Sequence, residues 1–101
     1  MYRVMLRMEV TEDLHEGFER AWVDGAATIA REPANVGQWL SRSADEAGIY
    51  YIVSDWVDEP SFREYERSER HRVHRARLHP YRSAGSMTTM TVLHAAPGRA
   101  A

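Results

Sequence analysis

The first ten residues alternate between apolar and other side chains. Every even-numbered position is apolar, and charged side chains occupy three of the odd-numbered positions. The apolar positions are Tyr2, Val4, Leu6, Met8 and Val10, and the charged ones are Arg3, Arg7 and Glu9. A period of two predicts a β-strand with one buried face.

Apolar residues then recur every three or four positions, which predicts an amphipathic helix. They are Leu14, Phe18, Ala21, Trp22, Gly25 and Ile29. Thr11 precedes two acidic residues and is placed to cap the start of this helix, and Pro33 marks its end.

Two strands and a second helix follow. Residues 35–43 and 49–57 have strand composition and are separated by the polar turn "ADEAG", which predicts a β-hairpin. Asp58 is placed to cap the second helix, with Pro60 in its first turn, where a missing N–H costs nothing.

The second helix does not fit one continuous rod. Extended from Phe62 at 100° per residue, it would bury Arg72 and expose Leu78. Ser68 is a favourable N-cap, so we predict a break there and a new helical piece over residues 69–78.

Residues 86–94, rich in Thr and Val, complete the pattern as a fourth strand, and residues 95–101 are expected to form a flexible tail. The order βαββαβ is typical of an α+β, ferredoxin-like domain, which here spans residues 1–94. Such a domain has a four-stranded antiparallel sheet with its helices on one face. Nothing in so short a chain is left to cover the other face, so we expect a second copy to pack there.

Composition narrows the classes of function. A chain of 101 residues is one domain, and its formal charge of −2 disfavours a nucleic-acid partner. Cysteine is absent, which removes thiol chemistry and disulfides. The alternating start does not fit a signal peptide, and no apolar run approaches the roughly 20 residues that cross a bilayer. We therefore expect a cytoplasmic protein with no membrane partner.

One stretch stands out, "ERSERHRVHRARLHPYR" at residues 66–82, with six arginines and three histidines. It fits a solvated helix face, because Glu66 precedes Arg70 by four positions, as Glu59 precedes Arg63 just before the stretch. His71 and His74 also share a helical face, but the stretch lacks HExxH and an acidic cluster, so we expect no metal site. A third interpretation is that these histidines line a pocket.

Large aromatic side chains favour the pocket. They are Phe18, Trp22, Trp39, Tyr50, Tyr51, Trp56 and Tyr65. Three tryptophans are hard to pack solidly under two short helices, and a ring-walled cavity with a few polar groups is the usual form of a small-molecule site. No GxGxxG, P-loop or GxSxG is present, so nucleotide cofactors and triad hydrolysis have no support.

Three segments carry a resemblance that extends over nearly the whole chain. "FERAW", "SDWVDEPSFREYERSERH" and "SMTTMTVL" resemble the antibiotic biosynthesis monooxygenase family, whose members are dimeric α+β barrels. The resemblance implies a homodimer joined through its sheets and a pocket between sheet and helices. It also implies oxidation of an aromatic polyketide, a phenol or an anthrone, to a quinone by O₂ without a metal or another cofactor.

The same resemblance implies roles for individual residues. The catalytic candidates are Trp56, which matches a tryptophan lining the site in such enzymes, and Tyr65, His71 and His74. The polar members would bind or deprotonate the substrate hydroxyl and later protonate a peroxy intermediate. The substrate-binding candidates are Leu6, Phe18, Trp22, Trp39, Tyr51 and Arg75.

The chain departs from parts of the family pattern. Where haem-degrading members have Asn, Trp and His, this chain has Leu6, Tyr65 and Arg75, so haem degradation is disfavoured. The pocket Asn of some quinone-forming members is also missing, because Asn35 is the only asparagine and lies at a strand start. A polyketide cyclase of the same barrel fold and a non-catalytic accessory protein of the pathway remain as alternatives.

Overall fold

The computed structural model describes all 101 residues and contains four strands and three helices. In chain order they are β1 (Tyr2–Glu9), α1 (His15–Ile29), β2 (Asn35–Arg42), β3 (Ile49–Trp56), α2 (Glu59–Glu66), α3 (Glu69–Leu78) and β4 (Ala84–Thr91). Single 3₁₀ turns, Glu12–Leu14 and His79–Tyr81, precede α1 and follow α3.

The strands form one sheet in the order β2-β3-β1-β4, and every neighbouring pair is antiparallel. This confirms the predicted α+β, ferredoxin-like architecture. The even-numbered residues of β1 and β3 pack with the helices, as the period of two in β1 predicts.

The break in the second predicted helix is confirmed. Between α2 and α3, the Ser68 hydroxyl oxygen accepts the backbone N–H of His71 at 3.2 Å, as an N-cap does. Ser68 also donates to the Tyr65 carbonyl oxygen at 2.6 Å, which fixes the corner. The new helix direction buries Leu78 and leaves Val73 exposed to solvent.

The predicted strands β2 and β3 each end one residue earlier in the structure, and the larger differences are at β4 and at the start of α1. β4 runs from Ala84 to Thr91 rather than from residue 86 to 94. The reason is that it pairs with β1 along its whole length, and Thr91 lies opposite Tyr2, the first residue of β1. Thr11 does not cap a helix with its side chain. Its carbonyl oxygen instead accepts the Leu14 N–H at 2.9 Å within the 3₁₀ turn, so that α1 begins only at His15.

The apolar core consists of two clusters of side chains between the sheet and the helices. One contains Met8, Val10, Phe18, Ala21, Tyr50, Ile52 and Leu78. The other contains Tyr2, Val4, Ile29, Trp56, Phe62 and Tyr65. The core of this small domain is therefore divided rather than continuous.

The opposite face of the sheet carries no helix. Arg3 lies on it and donates from Nε and Nη2 to the two carboxylate oxygens of Asp55, at 2.8 and 2.9 Å. Asp55 is buried by this contact although the face itself is open. Arg7 and Glu9 lie on the same face of β1, as the alternation predicts.

Candidate functional site

A cavity of about 330 Å³ lies between the sheet and the α2–α3 pair. Its wall takes residues from both core clusters, so it occupies the space where the core divides. Residues 85–87 of the edge strand β4 form another part of the wall, next to Arg82. The volume falls at the lower end of the range of about 300–1,000 Å³ that is typical of small-molecule sites.

Trp56 forms an aromatic wall at one end of this cavity. Its indole N–H donates to the Ser54 hydroxyl at 3.1 Å, which fixes the ring orientation. The indole stacks on the Tyr65 ring at 5.0 Å between centroids and 25° between planes, and Phe62 packs against it at 5.6 Å. These contacts hold the indole rigidly in the cavity wall.

The Tyr65 hydroxyl is buried and has no hydrogen-bond partner within the chain. Burial raises the pKa of Tyr65 to about 12, and the charge of Glu32 acts in the same direction. The phenol therefore stays protonated at neutral pH. It is a donor that only a bound ligand or solvent can satisfy.

His71 continues the wall from Tyr65 at the start of α3. Its ring meets the Tyr65 ring edge-on, with 5.4 Å between centroids. Burial lowers the pKa of His71, Glu66 opposes that shift, and the nearby Arg75 charge lowers the pKa further. A neutral imidazole is the outcome that burial favours.

His74 lies one turn further along α3, also in the cavity wall. Its Nδ1 atom is buried without a partner and lies against Gly25 of α1, where a Cβ atom would overlap the imidazole. Burial, followed by the charges of Arg77 and His71, lowers the pKa of His74 to about 4. Gly25 is thus the residue that allows α1 and α3 to enclose this ring.

The low pKa of His74 predicts a measurable loss of stability in acid. An unfolded histidine titrates near pH 6.5, so between pH 6.5 and about 4 the unfolded state binds the proton more readily. The stability is therefore complete above pH 6.5 and is lost as the pH falls toward 4. Between pH 7.5 and 4.5, wild type should lose roughly 2 kcal/mol more unfolding free energy than His74→Gln.

Urea unfolding of both proteins at the two pH values measures this difference. His71, the other cavity histidine, is present in both proteins, so its own titration contributes to both and only its coupling to His74 differs. Equal pH dependence of the two proteins would show that His74 is not buried in its neutral form.

Two arginines, Arg75 and Arg82, also line the cavity, and neither forms an ion pair. The one carboxylate in the wall, Glu66, is bound by Arg63 at 3.0 Å. The cavity therefore has an excess of unneutralised positive charge.

Six of the ten predicted site residues lie together in this wall: Leu6, Trp56, Tyr65, His71, His74 and Arg75. The residues that sequence reasoning missed include Gln38, Ser54, Phe62 and Arg82. Because Ser54 and Trp56 are two positions apart on β3, they lie on the same face of the strand. The sequence could therefore have predicted that Ser54 accompanies Trp56 in the wall. Arg82 follows a 3₁₀ turn, and no pattern in the sequence predicted that its side chain lies in the cavity wall.

Phe18 and Trp22, two of the aromatic residues predicted to bind substrate, lie outside the cavity wall. Phe18 is fully buried against the Tyr50 ring at 4.9 Å, and Trp22 packs on the same cluster. The helical spacing of Phe18 and Trp22 is as consistent with a helix face packed in the apolar core as with a substrate-binding wall.

Trp39 and Tyr51, the other two, lie on the open face of the sheet. Each is one residue away from a helix-facing neighbour in its strand, and strand residues alternate between faces. Trp39 is half exposed there.

The structure shows neither a cluster of metal ligands nor a helix suited to cross a membrane. No three His, Asp or Glu side chains come close enough together to hold a metal ion. None of the helices combines the length and the apolar character that crossing a bilayer requires.

Comparison with known proteins places the chain in a family. The sequence profile of the antibiotic biosynthesis monooxygenases matches residues 1–77. Among curated protein sequences, none matches the chain significantly. Solved structures also match this chain. Because their sequence identities are low, these matches establish its fold only.

One such structure is SnoaB from Streptomyces nogalater, a cofactor-independent oxygenase, with a TM-score of 0.83, 23% identity and coverage of 96% of this chain and 97% of SnoaB. Another is a candidate antibiotic biosynthesis monooxygenase from Caulobacter crescentus, with a TM-score of 0.83, 20% identity and coverage of 92% and 90%. Rv0793 from Mycobacterium tuberculosis matches with a TM-score of 0.80, 16% identity and coverage of 95% and 98%. By its sequence profile and its fold, this chain belongs to the antibiotic biosynthesis monooxygenase family.

Proposed function

We propose that this protein is a cofactor-independent monooxygenase that oxidises an anthrone-type or phenolic aromatic polyketide to a quinone with O₂. The observation that carries the proposal is the cavity itself. It combines a stacked Trp56–Tyr65 wall, neutral histidines and unpaired arginines. The similarity to SnoaB, a cofactor-independent oxygenase, supports the same chemistry.

The overall reaction balances without an external reductant. A ring CH₂ group becomes C=O, and the carbon gives up four electrons. O₂ accepts all four, so that one oxygen atom stays on the carbon and the other leaves as water. The protein therefore needs to form the electron-rich substrate anion, admit O₂ and move protons.

Forming the anion is the step in which charge matters most. A phenol titrates near pH 10 and His74 near 4, a gap of about six pKa units or roughly 8 kcal/mol for direct proton transfer. His74 alone is thus too weak a base. A cation beside the developing phenolate offsets the cost, by about 4 kcal/mol at 4 Å in an environment of intermediate polarity. We assign this role to Arg75, which lines the cavity and whose charge lowers the pKa of His71.

The remaining wall residues then have distinct tasks. Trp56, held by its stack on Tyr65, closes one end of the cavity against the flat substrate, and Tyr65 donates its buried O–H to a substrate oxygen. The proton that leaves the substrate hydroxyl passes through the neutral imidazoles to the peroxy intermediate when its O–O bond breaks. The apolar surroundings keep water away from that intermediate.

We also propose that the protein acts as a homodimer in the cytoplasm, joined through the open sheet faces. Met5, Trp39 and Val53 lie on that face, around the Arg3–Asp55 pair. Burial of the half-exposed Trp39 in such a contact is favourable.

Oxygen uptake separates this function from its alternatives. Incubated with 1,8-dihydroxyanthrone, the protein should accelerate O₂ consumption and quinone absorbance in parallel, above the spontaneous rate in buffer, and EDTA should leave the rate unchanged. Ring closure of a polyketide chain without O₂ uptake would identify a cyclase instead. Ligand binding with no turnover of either kind would identify an accessory protein.

A further inference from the structure

We infer that Arg82 binds a carboxylate on the aromatic substrate, and that this contact sets which ring lies beside the histidines. The inference rests on the proposed function for the identity of the substrate, but it concerns binding and is tested by binding. It narrows the substrate class to flat aromatic acids.

The first argument is the missing partner of Arg82. The side chain is partly buried in the cavity wall, yet no carboxylate of the chain lies within ion-pair distance of it. Glu66, the only acidic residue of the wall, is bound by Arg63. A guanidinium presents a fork of donors that matches a carboxylate, and a ligand in the cavity can supply one here.

The second argument is the space around the guanidinium. Gly85 lies under it on β4, and a Cβ atom at that position would come within 3.0 Å of Arg82 Nη1. Ala84 and Ser86 pair with Glu9 and Arg7, so their side chains point to the open face of the sheet, and Gly85 has no side chain to cover the guanidinium. The guanidinium is therefore accessible from the cavity instead of being covered by the edge strand.

The third argument is the distance from the aromatic wall. Trp56 pairs with Tyr2 and Gly85 pairs with Met8, at opposite ends of β1. Along α3, the cavity-facing residues from His71 to Leu78 span about 10 Å at 1.5 Å per residue. That length suits three fused six-membered rings. A carboxylate held at Arg82 then directs the rings along α3 toward the aromatic wall and places the central ring beside the histidines.

Calorimetric titration with two matched probes tests this assignment. Anthraquinone-2-carboxylate and anthraquinone-2-carboxamide share their rings and differ in charge. Wild type should bind the acid about tenfold or more tightly than the amide, as expected of a hydrogen-bonded ion pair in a partly buried site. In Arg82→Gln this preference should fall to near one, with the affinity for the amide unchanged.

Two variants serve as controls. Arg77→Gln removes an equally unpaired arginine of α3 that does not line the cavity, and should retain the preference. Arg82→Lys keeps the charge, so it should retain part of the preference and shows that position 82 tolerates substitution. Circular dichroism confirms that each variant is folded.

Equal affinities in wild type, a preference that survives in Arg82→Gln, or no binding of either probe would each overturn the inference. Its failure is distinct from a failure of the proposed function. A protein that prefers the acid but consumes no O₂ retains the carboxylate site and is not an oxygenase. One that consumes O₂ without preferring the acid is an oxygenase that lacks the site.

Discussion

Replacing Trp56 with alanine is expected to lower the free energy of unfolding by about 3–5 kcal/mol and to abolish binding of flat aromatic ligands. The indole is 1% exposed and touches both Tyr65 and Phe62, so its loss leaves a hole in one core cluster as well as in the cavity wall. Domains of this size have only about 5–15 kcal/mol of stability in total. Urea unfolding and calorimetric titration of an anthraquinone measure the two effects.

A milder variant keeps this prediction testable if the alanine protein unfolds. Trp56→Phe retains an aromatic ring in the wall and loses only the bond to the Ser54 hydroxyl and part of the stacked area. It should stay folded and bind the ligand more weakly than wild type. Full affinity in Trp56→Phe together with full affinity in a folded Trp56→Ala would remove Trp56 from the site.

Phe18→Ala should cost a similar 3–5 kcal/mol of stability but leave ligand affinity unchanged. Phe18 has no solvent exposure and packs on Tyr50 in the other core cluster, outside the cavity wall. The two variants therefore match in the size of the defect and differ in its place. The same two measurements apply, taken at a temperature at which Phe18→Ala is folded.

The outcome for Phe18 decides between two interpretations of its helical spacing with Trp22. A folded Phe18→Ala protein that has lost its affinity for the anthraquinone would return Phe18 to the substrate-binding residues. Unchanged affinity would fix it as a core residue.

Much of the fold was predictable because period and turn chemistry are local properties. The alternation in β1 set the buried face, and the conflict between Arg72 and Leu78 on one continuous helix revealed the break at Ser68. The ends of β4 were not predictable, since they are set by the length of its partner strand. Strand pairing depends on the tertiary structure, so the sequence of β4 by itself does not determine where the strand ends.

The candidate site was predictable only in part, for a related reason. His71 and His74 share a helical face, so placing one in the wall placed the other. Trp39 and Tyr51 are aromatic like Trp56, but strand parity directs them to the other face of the sheet. The number of aromatic side chains alone does not show whether they line a cavity or an exposed sheet face.

The most direct test of the account is a crystal structure of the protein grown with a dihydroxyanthrone under anaerobic conditions, which prevents turnover. We expect electron density for the three-ring ligand between Trp56 and α3, within hydrogen-bonding distance of Tyr65 and beside His71 and His74. A cavity without ligand, with the anthrone bound instead on the open sheet face near Trp39, would contradict the proposal that this cavity is the active site.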